Sequence, residues 1–371
     1  MQFNIDRNLF IEEINKANKI IDLKSQNIGY TYIKVSVEVD NIIIKSVNKN
    51  FSLKSVLKVG ETLEVKSVGE FLIKGKQVID ILKKMNDNKV NIYLVEEDLL
   101  LITDEKSEFS VGTSETNIFV DKSFKQNGNH IVVKSDDLLK GIKQTIVAVN
   151  EQCTKVNLKG LNLTIDNGKF YLFATDNTRI AVREIDYIDS NLKEMSTTIP
   201  KDILSELLKV LDEKGDCKII NNENCINFIF GNVNAECGIS EYKFPNLIKY
   251  TNIDYTTLLN VDHNQFTNLM WRADLTNDIT KNNNVNFELS NSSIHLNSTA
   301  QNCTFKETFT GFEIEGEQYH SISFNARFMY DALKSFSVKN IQLKIKDKFS
   351  PIIVLSDEFP QLVHVVLPLI T

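Results

Sequence analysis

Histidine and cysteine are the residues of this chain best suited to act as base, nucleophile or metal ligand, and their spacing assembles no such site. His130, His263, His295, His320 and His364 stand far apart at unrelated positions, so each reads as a surface or packing residue. Cys153, Cys217, Cys225, Cys237 and Cys303 form no CxxC pair and no Cys/His cluster. That spacing predicts reduced, mostly buried thiols, with no zinc site and no disulfide framework. No Walker A, GxSxG, HExxH, HRD or GxGxxG pattern occurs. Glu12-Glu13 and Asp136-Asp137 read as first-turn carboxylates that offset a helix dipole, and Glu96-Glu97-Asp98 as a hairpin loop. The expectation is a protein without catalysis, metal or cofactor.

The elements recur three times in one order: a short strand, an amphipathic helix, a run of strands, a second helix. The first helices are predicted to start at Asp6, Asp136 and Asp262, each an N-cap. Leu9, Phe10, Ile14 and Ala17 form the apolar stripe of the first. Leu138, Leu139, Ile142, Ile146 and Val149 form that of the second, and Phe266, Leu269, Met270 and Ala273 that of the third. Aligning Asp80, Glu206 and Asp331 in the second helices gives a period of about 126 residues, far beyond the ~20–50 of solenoids and propellers. Between the helices, alternating runs such as Tyr32–Val39, and a hairpin turning at Asp166-Asn167-Gly168-Lys169, predict antiparallel strands. Pro200 is placed in the first turn of a helix. The fold class is α+β, with domains at 1–127, 128–250 and 251–371 joined by short polar linkers.

At 371 residues the chain can hold two or three domains, and 42% hydrophobic with 25% charged residues is an ordinary globular composition. No apolar run approaches the ~20 residues of a membrane span. The amino terminus has neither a basic nor an apolar leader region, so no signal peptide and a cytoplasmic location are expected. A net charge of −7 repels polyanions unless the cations are gathered on one surface. Lys16, Lys19, Lys76, Lys83, Lys84, Lys140, Lys143, Lys201, Arg272 and Arg327 recur on helices of all three repeats. They read either as solvated helix faces or as a joint surface that touches phosphates without reading bases.

Two stretches stand out from scaffold. Ala174-Thr175-Asp176-Asn177-Thr178-Arg179-Ile180-Ala181 is a polar turn between apolar strands, and Phe244-Pro245-Asn246 closes the second repeat. Singly, these are a hairpin loop and a linker. Together with the apolar tail Val365-Val366-Leu367-Pro368-Leu369-Ile370-Thr371, in this order and on a threefold repeat spanning the chain, they resemble the bacterial DNA polymerase III beta subunit, the replicative sliding clamp. The sequence departs from that family's pattern at Asn177-Thr178, where many members have Gly-His. It departs again at Leu247-Ile248-Lys249, at Leu367 and Leu369, which are often Met, and at Thr371.

The resemblance implies three repeated clamp domains in a head-to-tail homodimer, with helices lining a ring and antiparallel sheets outside. It implies a clamp that encircles double-stranded DNA and tethers the replicative polymerase for processivity, with no catalysis of its own. Lys76, Lys83, Lys140, Lys143, Lys201 and Arg272 would meet DNA, and Phe109, Val111 and Leu275 would form the dimer contact. Clamp loader, polymerase alpha subunit and other proteins would dock a peptide on Leu158, Thr175, Asn177, Thr178, Arg179, Ile180, Pro245, Lys249, Tyr250, Val365, Val366, Leu367, Pro368 and Leu369. The competing expectation is a clamp-like paralogue that serves as a recruitment scaffold outside replication.

Overall fold

The computed structural model describes residues 1–96, 98–251, 253–276, 284–299 and 303–369. Glu97 of the expected hairpin loop, and Ile370 and Thr371 of the expected tail, lie outside these. Six helices occur among the described residues: α1 (Arg7–Asn18), α2 (Gly75–Leu82), α3 (Ser135–Thr145), α4 (Lys201–Val210), α5 (His263–Asp274) and α6 (Ala326–Lys334). The strands that surround them pair antiparallel throughout, and the chain divides into two compact units.

The first unit comprises 1–136, 187–192 and 202–239. Its five-stranded sheet ends in the edge strand Glu108–Gly112. Its nine-stranded sheet combines strands of two repeats, joined where Val233–Gly238 pairs with Phe51–Lys58 through Ala235↔Leu53 and Cys237↔Phe51. All four of those side chains are buried. The second unit comprises 137–186, 193–201 and 240–371. There Arg179–Ile185 pairs with Leu362–Val366, so a second nine-stranded sheet also draws on two repeats. A four-stranded sheet completes this unit. The repeats read along the chain are therefore not its compact units, because non-local strand pairing welds neighbouring repeats into shared sheets.

Two of the first helices form as their periodicity predicts, whereas α3 ends at Thr145, leaving Ile146 in a 3-10 turn and Val149 beyond it. Phe10, Ile14 and Ala17 bury one face of α1, and Phe266, Leu269, Met270 and Ala273 one face of α5. Asp6 and Asp262 cap those helices, each carboxylate accepting the backbone N–H three residues on at 2.9 Å. In the second unit α5 and α6 close over Val285, Phe287, Ile341, Leu343 and Val366. The predicted turn lies between Asp166 and Lys169, with Asn167 at φ 50° and Gly168 at φ 73°. Positive φ at both central residues is the type I′ geometry that matches strand twist.

Three local expectations are corrected. Asp136 lies inside the first turn of α3 and is no cap, because the helix already starts at Ser135. Glu12 and Glu13 sit in the middle of α1; Glu13 is buried, accepts the Ser55 hydroxyl, and pairs with Lys16 at 2.8 Å. Pro200 ends a strand opposite Gly160 and stops short of α4, a position that also needs no N–H in the ladder.

Candidate partner-binding cleft and cationic residues

The polar motif builds a rigid loop at the end of two strands. Asp176 accepts the backbone N–H of Thr178 at 3.0 Å and of Arg179 at 3.2 Å, and the Thr178 hydroxyl at 2.6 Å. Thr175 closes the loop from the other side, its hydroxyl donating to the Arg179 carbonyl at 2.6 Å and accepting from Asn177 N at 3.1 Å. Asn177 sits at φ 80°, a conformation that asparagine tolerates better than most residues. The loop is thus braced largely by its own polar groups, with Lys155 donating to Asn177 at 3.0 Å from outside.

Beside this loop lies a cleft of about 930 Å³. Thr175, Asn177 and Ile180 reach it from the loop and its strand, Leu158 from a 3-10 turn, Pro245, Lys249 and Tyr250 from the segment after Phe244, and Val365 and Leu367 from the tail. Its floor is an apolar cluster of Leu158, Phe173, Ile180, Val182, Phe244, Leu247 and Val365. The Tyr171 and Phe173 rings pack at 5.5 Å beneath it. Apolar area edged by Lys155, Asp166, Asn177 and Lys249 suits a short peptide with aliphatic side chains.

Five expected members do not line the cleft. Thr178 is bonded to Asp176. Arg179 is drawn inward, its Nε 2.9 Å from Asp176, its Nη1 3.0 Å from Asp331, and its guanidinium 4.2 Å over the Phe328 ring. Val366 faces the opposite side of its sheet, where it belongs to the α5/α6 core, because successive strand residues alternate faces. Pro368 bridges to Phe324, and Leu369 donates its N–H to Ser323 at 2.7 Å. Conversely, Lys155, Asn157, Asp166, Asn246, Leu247, Ile248 and Pro351 line the cleft and were not expected there. Asn246–Ile248 adjoin the Phe244-Pro245 motif and could have been inferred from it; Pro351 is carried in by a distant hairpin and has no local signal.

The histidines stay apart. His364 is buried and bonded to the Ser335 hydroxyl at 2.7 Å; burial, with Arg179 nearby, pushes its pKa down to about 3, so the ring is neutral. His320 meets Thr257 at 2.6 Å and Glu317 at 4.0 Å through the same nitrogen.

Of the cations expected to meet phosphates, Lys76, Lys83, Lys140 and Lys143 are exposed. Lys140 nonetheless has a partner within the protein, and Lys201 and Arg272 are held by it. Lys201 is half-buried with Nζ 3.1 Å from the Val149 carbonyl, and Arg272 forms a two-pronged bond to Glu307 at 2.9 and 2.6 Å. Lys16, Lys19 and Arg327 are held likewise, by Glu12 and Glu13, by the Lys209 carbonyl, and by Asp274 and Asp331. Each of these five is held by a group of the protein itself and is not a freely solvated helix-face cation. Phe109 is 37% exposed on its edge strand and Leu275 61% exposed at the end of α5, but Val111 is buried in its own unit and offers no surface. Phe109 borders an apolar recess of about 770 Å³ with Ile21, Leu23 and Ile81.

Comparison with known proteins adds the family. Models of the DNA polymerase III beta subunit match in order: the N-terminal domain over 1–119, the central domain over 132–246 and the C-terminal domain over 253–370. The beta sliding clamp of Mycoplasma capricolum is 31% identical over 99% of both chains, and that of Staphylococcus epidermidis 26% identical over the full length of both. The crystal structure of the DNA polymerase sliding clamp from Bacillus subtilis superimposes with a TM-score of 0.91 at 24% identity, covering 100% of this chain and 99% of that one. Its likeness establishes a fold of three clamp domains. By domain order, coverage and identity, this chain belongs to the DNA polymerase III beta subunit family, the beta sliding clamps.

Proposed function

We propose that the protein is the replicative sliding clamp: a head-to-tail homodimer that closes into a ring around duplex DNA and tethers the polymerase. The observation that carries this reading is the unbroken succession of the three family domains over the whole chain. Domain limits at 1–127, 128–250 and 251–371 are consistent with those matches. A second copy would cover Phe109 on its edge strand and Leu275 at the end of α5, removing an exposed edge that otherwise invites aggregation.

Retention is topological, so Lys76, Lys83, Lys140 and Lys143 need only touch phosphates loosely enough to slide. The polymerase alpha subunit, the clamp loader and other partners dock short peptides in the cleft beside Thr175–Ile180. The protein acts in the cytoplasm and performs no chemistry on DNA. Loading onto nicked circular DNA tests this directly. Retention on the circle, and escape once it is linearised, is the expected result; a monomer at micromolar concentration, or equal retention on both, contradicts the ring.

A further inference from the structure

The apolar floor of the cleft continues beyond it along one row of the sheet. Thr175 pairs with Ile180, Ile180 with Val365, Val365 with Ile353, and Ile353 with Lys344. Residues directly opposite one another in antiparallel strands point to the same face. Thr175, Ile180 and Val365 line the cleft, so Lys344 stands on the cleft's own face. It lies two strands past Val365, or ~10 Å at about 4.8 Å per strand.

Lys344 brings a cation and an aromatic ring to that row, which then runs on through Leu258 to Glu315. Lys344 lies 4.8 Å from the Tyr255 ring centre, and in the following turn Lys348 lies 4.9 Å from that of Phe349. On the cleft rim Lys249 lies 5.0 Å from the Tyr250 ring. Tyr255 and Phe349 are 46% and 62% exposed, large apolar surfaces held open to solvent. The carboxylate of this turn, Asp347, is occupied, accepting the N–H of Phe349 and of Ser350 at 2.8 Å each. Lys249, Lys344 and Lys348 are cations on this side of a chain of net charge −7, and Asp166 is the carboxylate that lines the cleft itself.

We propose that Lys249, Lys344 and Lys348, on their aromatic rings, receive an acidic flank of the partner peptide whose aliphatic residues fill the cleft. The proposal rests on the cleft being a peptide-docking site and adds the chemistry of the segment beside the anchor. An ammonium already resting on a ring loses little further freedom when a carboxylate arrives. Lysines on aromatic rings also suit single-stranded nucleic acid, but the aliphatic cleft in the same row favours a peptide.

The test uses labelled, capped decapeptides with a Leu-Ser-Leu core and four Glu, four Ser or four Lys on one side, with the flank before or after the core. Binding to the full protein is followed by fluorescence anisotropy. Two or three exposed ion pairs should make a Glu-flanked peptide bind roughly five-fold tighter than its Ser counterpart at low salt. That advantage should vanish near ~1 M salt, where the screening length is about 3 Å. The double variant Lys344→Glu with Lys348→Glu should abolish the advantage and leave the Ser-flanked affinity unchanged. Equal affinity of the Glu and Ser peptides at low salt, or an advantage that survives in the variant, overturns the strip while leaving the cleft intact. Failure of the Ser-flanked peptides to bind wild type overturns the docking reading and the strip with it. Tighter binding of a dT12 oligonucleotide than of the Glu-flanked peptide, abolished in the same variant, assigns the strip to nucleic acid and also overturns the proposal.

Discussion

Replacing Arg179 by Met separates its two possible roles, contact with a ligand or support of the loop. Its side chain is 13% exposed between Asp176 at 3% and Asp331 at 18%. Removing one partner of a buried ion pair costs about 3–5 kcal/mol, since the remaining charges lose their compensation. Asp331 keeps some contact with water, and Arg327 also pairs with it at 3.1 Å, so we expect a cost near ~2–3 kcal/mol. The missing stacking on Phe328 falls within that figure. At ~2–4 °C per kcal/mol, the corresponding melting transition should drop by roughly 4–12 °C. Arg179→Met with Asp331→Asn should recover at least ~1 kcal/mol relative to additivity, because the two charges are removed together. Scanning calorimetry of the four proteins reads both quantities. A drop under about 2 °C for the single variant, or strict additivity, would show that Arg179 is not held by this network.

Leu367→Ala should weaken an aliphatic peptide by about 1.5–3 kcal/mol by titration calorimetry, whereas Leu369→Ala should change it little, because only Leu367 lines the cleft. Lys143→Ala should lower the salt slope of DNA association by about 0.9 for each phosphate that the lysine neutralises; Arg272→Ala, which breaks the Glu307 pair, should leave that slope unchanged. Phe109→Ala with Leu275→Asp should shift sedimentation toward monomer, and Val111→Ala should instead lower the melting temperature. For His364 the folded pKa of about 3 lies below the ~6.5 of the unfolded chain, so the unfolded state binds more protons between them. Its contribution is therefore fully present above pH ~6.5 and falls by up to about 1.4 kcal/mol per unit as pH drops toward 3. In His364→Gln that part of the acid slope should disappear from the pH dependence of melting.

Helix faces are legible because a 3.6-residue period is local: Phe266, Leu269, Met270 and Ala273 are buried together as their spacing requires. The Asp6 and Asp262 caps and the Asn167-Gly168 turn carry local signatures of the same kind. Sheet partners are not legible. Nothing near Ala235 announces that it will pair with Leu53, and that pairing makes the compact units differ from the repeats. Cations mislead for a related reason. Arg272 and Lys201 have the spacing of a solvent-facing stripe, but Glu307 and the Val149 carbonyl, which occupy them, arrive from elsewhere in the fold. Val111 alternates with Phe109 in sequence; the edge strand gives the two very different exposure, which alternation alone does not encode.

The tail shows how a motif can be right in place and wrong in role. Strand alternation sends Val365 and Leu367 to the cleft and Val366 to the α5/α6 core, so half the tail contributes area to a ligand and half anchors that area. The register has to be fixed, because a slip of one residue exchanges the two sets. It is fixed from both sides: the Leu367 N–H donates to the Thr178 carbonyl at 3.0 Å, and that of Leu369 to Ser323 at 2.7 Å. Thr178 belongs to the loop that Asp176 and Arg179 hold rigid. The charged members of the motif therefore act on the cleft through the tail's register, while Thr175, Asn177, Ile180 and Leu367 present the surface a partner meets. Changes at Leu367 can then retune that surface without loosening the frame, and changes at Asp176, Arg179 or the left-handed Asn177 cannot.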